Sequence, residues 1–204
     1  KLETELNREQ LLAVKHTCCP LLVLAGAGSG KTKVLTYRAF YLISQLQIKP
    51  EEIILLTFTN KAAEEMKKRV ASSGELGFAG TFHTFCARML RQYGPMIGLS
   101  ANFVIYDGDD MEAAIKMAIR NLGLDLKTNK QGVFLHLISR LKNDLTPHDE
   151  LEATARDDFY KRLVSIWRGY QKILADSRAV DFDDLLLNCV KLLSLPQMRE
   201  KMKE

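Results

Sequence analysis

The chain has 204 residues, 47% of them apolar, and a formal net charge of +4, which suits one large domain or two small ones with room for a core. No run approaches the roughly 20 apolar residues of a membrane span and no apolar segment follows a basic start as a signal peptide would, so the reading is a soluble, cytoplasmic protein without a membrane role. Cys18, Cys19, Cys86 and Cys189 show no paired spacing. Small buried thiols are therefore expected rather than disulfides, and His16 with Cys18 and Cys19, or His83 with Cys86, lacks the second ligand pair of a zinc site.

Asn7 reads as the cap of a short helix from Gln10 to Lys15. LLVL, residues 21–24, is a continuous apolar run ending in glycines, the pattern of a strand buried on both faces. A helix over 31–46, a second apolar strand IILLTF at 53–58, a helix over 61–71 and a third strand FAGTF at 78–82 follow. Apolar strands alternating with helices predict a parallel sheet and a doubly wound α/β fold for residues 1 to about 90. Beyond a brief NFVIY at 102–106, helical periodicity dominates in 111–124, 133–145, 159–176 and 181–193, with Pro147 among the breaks. Residues 1–90 hold 12 Lys and Arg against 8 Asp and Glu, and 91–204 hold 17 of each, so the whole excess lies in the first part, a weak pointer to an anionic partner.

Three clusters carry chemistry. AGAGSGKT, residues 25–32, sits between a predicted strand and a helix, where backbone N–H groups and the helix dipole converge on phosphate oxygens. Lys31 would reach the β and γ phosphates and Thr32 would offer its hydroxyl to Mg²⁺; Gly28 and Gly30 let the backbone approach, and Ala25 needs only to permit the turn. FTNKAA places Thr57, Thr59, Asn60 and Lys61 where a strand gives way to a helix, and GTFH does the same with Thr81 and His83. Ligands of open parallel sheets gather at the carboxyl ends of strands, so these donors suit a phosphodiester and Phe58 or Phe82 suits a base. The competing reading makes both phenylalanines core and the polar groups helix caps.

AGAGSGKT resembles the phosphate loop of superfamily 1 helicases of the UvrD, Rep and PcrA kind. LNREQ (6–10), LTFTNKAAEEMKKRV (56–70), GTFHTFCARMLR (80–91), VIYDGDD (104–110), ISRLKNDLTP (138–147) and VDFDDLLL (180–187) are similar to further landmarks of that family in the same order. The resemblance implies a P-loop NTPase with a RecA-like parallel sheet and helices on both faces. It implies motor-domain residues 1–90, an inserted helical subdomain at 91–178 and a return to the motor domain at 179–204. It implies an ATP site formed by Gln10, which reads adenine, with Ala25, Gly26, Ala27, Gly28, Ser29, Gly30, Lys31, Thr32 and Lys33, and Mg²⁺ held through ATP and Thr32. It implies a DNA track of Phe58, Thr59, Asn60, Lys61, Thr81, Phe82 and His83.

The parent is then expected to be an ATP-dependent 3′–5′ DNA helicase acting in repair or replication, with single-stranded DNA and single/double-strand junctions as partners. Lys33 replaces the family's usual arginine and Met111 a frequent glutamine. Acidic DFDD, 181–184, reads as a helix start that needs no metal. No apolar strand ends in the Asp or Asp-Glu that orients water in such enzymes, so the chain is expected to be an N-terminal fragment, inactive alone and completed by the remaining domains of the parent helicase. A RecB- or AddA-like helicase-nuclease motor and a free-standing regulatory nucleotide-binding module are the alternatives.

Overall fold

A computed structural model describes residues 2–70, 76–146, 151 and 157–203, arranged as two compact units, Lys1–Phe85 and Cys86–Glu204. The first unit opens with helices α1 (Leu2–Glu5) and α2 (Arg8–Lys15). Asn7 caps α2 reciprocally: its side chain accepts the Gln10 N–H at 2.8 Å while its own N–H donates to Gln10 Oε1 at 3.1 Å. Helix α3 spans Lys31–Leu46 and starts from Gly30, at φ 85°.

Strand β1 (Ile54–Thr57), helix α4 (Asn60–Val70) and strand β2 (Phe78–Thr81) form a parallel pair joined through the helix, with Ile54 opposite Phe78 and Thr57 opposite Thr81. Ala63, Met66 and Val70 recur at helical spacing and form the buried face of α4. Met66 and Val70 pack with Ala39, Ile53 and Leu55 into the core of this unit.

The predicted strand at 21–24 does not form. Among the described residues β1 pairs only with β2, and residues 21–24 join no ladder. Leu22 and Leu24 are 83% and 88% exposed. A continuous apolar run records a preference to be covered on both faces, and without flanking strands it has neither a ladder nor a covering layer. The expectation for the cysteines divides in the same way. All four are free thiols; Cys86 and Cys189 are buried, whereas Cys18 and Cys19 are exposed because they lie between the end of α2 and this unpaired segment.

Helix α5 (Phe82–Tyr93) follows β2 directly. The second unit contains β3 (Val104–Ile105), α6 (Gly108–Asn121), α7 (Gln131–Asn143), α8 (Asp158–Asp176), β4 (Ala179–Val180), α9 (Phe182–Leu193) and α10 (Pro196–Lys201). β3 and β4 pair in parallel, Val104 opposite Ala179. Asp107, Asp157 and Asp181 cap α6, α8 and α9 with their side chains. Ile115 and Ile119 of α6, Phe134 and Ile138 of α7, and Leu163, Ile166, Trp167 and Tyr170 of α8 make one core. A Cβ on Gly169 would stand 3.3 Å from that of Ala118, so the glycine lets α8 approach α6 closely.

Inside this unit Lys142 is nearly inaccessible. Its Nζ donates to Asp181 Oδ2 at 2.6 Å and lies 2.8 Å from Asp184 Oδ1; the Tyr170 hydroxyl donates to Asp181 Oδ2 at 2.9 Å. Burial raises the Tyr170 phenol far above its usual range, and the charges of Asp181, Asp184 and Asp183 add to this. Burial also raises the Asp184 carboxyl, against the opposing pull of Lys142. The acidic run 181–184 is thus a helix start with an internal cation as counter-ion. Expectations placed on Ala71 and Pro147 lie outside the described residues. Among the described residues no helix is long and apolar enough to cross a membrane.

Candidate functional site

The turn from residue 25 to residue 30 is built by two left-handed glycines, Gly28 at φ 76° and Gly30 at φ 85°. This backbone region costs other residues roughly 1–2 kcal/mol, so both positions call for glycine. Ser29 closes the turn, its hydroxyl donating to Gly26 O at 2.8 Å. The Lys31 ammonium folds back onto the loop and donates to Ala25 O at 3.1 Å and Gly26 O at 2.7 Å. Residues 25–29 and Lys31 are exposed; Gly30, Thr32 and Lys33 are half-buried in the first turn of α3 or just before it.

Gln10 ties α2 to this loop. Its Nε2 donates to Ser29 O at 2.9 Å while its Oε1 serves the α2 cap, so one side chain links the helix start to the phosphate-loop candidate. A cavity of about 410 Å³ opens here, lined among others by Asn7, Gln10, Ala25, Ser29, Lys31 and Val34. Lys33 turns away from the loop: its ammonium donates to Glu5 O at 2.6 Å and lies 5.6 Å from the centre of the Tyr37 ring. Tyr37 donates to the Glu5 carboxylate, a hydrogen bond that raises the phenol above its ordinary value.

The second cluster stands at the carboxyl ends of β1 and β2. Phe58 and Phe82 each lie one residue past the register pair Thr57–Thr81, and their rings meet at 5.3 Å between centroids. Phe58 is 88% exposed and Phe82 39%, so neither is core. The threonines follow the capping pattern: Thr59 Oγ1 accepts from the Ala62 N–H at 3.2 Å, and Thr81 Oγ1 from the Thr84 N–H at 3.2 Å. Asn60, Lys61 and His83 are exposed at the two helix starts, and Thr81 is buried.

Residues 6–204 match the UvrD/REP helicase N-terminal domain. This chain belongs to that family. Among curated relatives it is similar to the ATP-dependent DNA helicase PcrA of Staphylococcus aureus, 39% identical over 204 residues that cover 98% of this chain and 28% of the relative. The Staphylococcus epidermidis PcrA is 39% identical over 195 residues, 94% of this chain and 27% of the relative. The chain therefore spans little more than a quarter of the length of the curated relatives it matches.

Within this UvrD/Rep domain the sequence reading brought forward the loop and both strand-end clusters, and the structure gathers Gln10, Ala25, Ser29 and Lys31 around one cavity. It missed the fastening of Lys33 and Tyr37 to Glu5, which no local motif announces. It also missed the Lys142 cluster. A signal was present: Phe134, Ile138 and Lys142 recur every four residues, which places the lysine on the apolar stripe of α7.

Proposed function

We propose that this chain is the ATP-binding and single-stranded-DNA-binding N-terminal part of an ATP-dependent 3′–5′ DNA helicase and translocase, cytoplasmic and acting in DNA repair or replication. Its substrates would be ATP with Mg²⁺, single-stranded DNA and single/double-strand junctions, and its partners the remaining domains of the parent. The observation that carries the reading is the glycine loop at the start of α3, bounded by Gln10 and Lys31 around one cavity. Family membership over residues 6–204 supports it.

The residues present fit a nucleoside triphosphate. The left-handed glycines free backbone N–H groups at a helix N-terminus, where negative charge is favoured. Lys31 would exchange two carbonyl oxygens for phosphate oxygens, charged acceptors that make the stronger hydrogen bond. Thr32, in the first turn of α3, would place its hydroxyl toward Mg²⁺, which supplies charge neutralisation during phosphoryl transfer. Gln10 would present its amide to adenine, and Ala25, Gly26, Ala27, Gly28, Ser29, Gly30 and Lys33 would complete the nucleotide surface. Phe58 and Phe82 would stack on bases while Thr59, Asn60, Lys61, Thr81 and His83 face the phosphodiester track.

This reading assigns residues 1–90 and 179–204 to a RecA-like motor domain, and residues 91–178 to an inserted helical subdomain. Residues 21–24 would then gain strand neighbours from the rest of the parent. The test is ATP hydrolysis by the parent protein with and without single-stranded DNA. Stimulation by DNA, with loss in Lys31→Ala at unchanged fold, is the expected result; hydrolysis unaffected by Lys31→Ala overturns the site.

A further inference from the structure

We infer that His16, Cys18 and Cys19 form a binding site for a thiophilic divalent cation, zinc by preference, independent of the nucleotide site. His16 Nε2 lies 3.3 Å from Cys19 Sγ and 3.9 Å from Cys18 Sγ, and the two sulfurs are 3.7 Å apart. Zinc binds thiolate sulfur at about 2.3 Å and imidazole nitrogen at about 2.0–2.1 Å. A tetrahedral arrangement of such bonds separates the two sulfurs by about 3.8 Å and each sulfur from the nitrogen by about 3.5 Å. The three donor atoms thus already stand close to the corners of one face of a zinc tetrahedron.

The histidine is mounted firmly. It is the C-cap of α2, its N–H donating to Leu12 O. Its carbonyl, with that of Ala13, accepts from the Arg38 guanidinium of α3. The two thiols are exposed, so a cation can reach them. Two thiolates and an imidazole select zinc over magnesium or calcium, which want oxygen ligands. A water molecule would complete the four-coordinate set, as in zinc sites with three protein ligands.

Binding has a defined chemistry. Both thiols lose their protons to solvent, and Nε2 must carry the lone pair with the ring proton on Nδ1. In the free chain Nε2 also lies 3.1 Å from Cys19 O, so metal binding replaces that exposed hydrogen bond as well as the contacts with the two sulfurs. No oxidant or reductant takes part, and the site precedes the phosphate loop by only a few residues.

The experiment is titration of the reduced 204-residue chain with Co²⁺, without nucleotide. Expected are one equivalent bound, thiolate-to-cobalt charge-transfer absorption, release of protons and displacement by Zn²⁺. Cys18→Ser and Cys19→Ser should each reduce the charge-transfer band by about half. His16→Ala should keep the band and weaken affinity at least about tenfold, since even groups behind metal ligands are worth that much. A Cys86→Ser/Cys189→Ser variant should titrate as the original chain does. Absence of charge transfer in the original chain, or a band that persists when Cys18 and Cys19 are both replaced, overturns the proposal. Because Cys18 and Cys19 are exposed, circular dichroism should show their serine variants folded.

Discussion

The exposed rings of Phe58 and Phe82 meet at 5.3 Å between centroids, tilted by 39°, because each follows one member of the parallel register pair Thr57–Thr81. Two strands in register end level, so the residues just beyond them stand side by side at the helix starts. If these rings hold bases, Phe58→Ala and Phe82→Ala should each weaken single-stranded DNA binding by the parent by about 1–3 kcal/mol per base lost. Thermal stability should hardly move for Phe58→Ala, whose side chain is mostly solvated. Fluorescence anisotropy with a labelled oligonucleotide reads the first quantity and a thermal melt the second. A large loss of stability with unchanged DNA affinity would make the pair a packing device.

Asn60 and His83 stand at the starts of α4 and α5 beside those rings. Their joint replacement by alanine should weaken single-stranded DNA binding about equally for different sequences, because contacts to the phosphodiester carry no base information. The double change removes no lysine or arginine, so the dependence of affinity on salt should stay close to that of the original protein. Binding isotherms at several salt concentrations check both points. Unchanged affinity in a folded double variant would leave these residues without a role in the track.

Gln10 offers a test that separates base from phosphate. Its amide already spans the α2 cap and Ser29 O, so Gln10→Ala removes the reciprocal half of the capping box, leaving the Asn7 cap in place, together with the tether to the loop. Loss of an adenine partner should weaken ATP more than CTP, whereas Lys31→Ala should weaken both alike. Competition binding with the two triphosphates in the parent protein measures the ratio. Equal losses for ATP and CTP in Gln10→Ala would reduce the residue to its tether.

Local chemistry explains what was legible in the sequence. Helix α3 falls on the predicted 31–46, and Asn7, Asp107 and Asp181 cap helices as residues of their type do. Gly28 and Gly30 could be assigned their backbone role from the loop pattern alone. The failures share a different cause. Residues 21–24 form no strand because a strand depends on neighbours, which an apolar run requires but does not supply. Cys18 and Cys19 are exposed for the same reason, and their meeting with His16 depends on how the chain turns after α2. Lys142 was missed because a charge read singly looks solvated, and only its position on the apolar stripe of α7 reveals otherwise.

That buried lysine supports the most direct stability prediction. Lys142→Met keeps much of the side-chain volume but leaves Asp181 and Asp184 without their cation, and removing one partner of a buried charge cluster typically costs about 3–5 kcal/mol. The loss should depend on pH. Asp184 already has a raised carboxyl pKa from burial, and Lys142 is the main influence holding it down, so the variant raises it further. A carboxyl that binds its proton more tightly folded than unfolded favours the folded state at low pH. That advantage disappears as pH climbs from the unfolded value through the folded one. The variant should therefore come closest to the original chain at an acidic pH and fall furthest behind at an alkaline one. Thermal melts of both proteins at the two pH values check this, and Asp184→Asn added to Lys142→Met should flatten the difference. A deficit that is equal at both pH values would show that packing of the lysine stem, and not its charge, holds this part of the helical unit together.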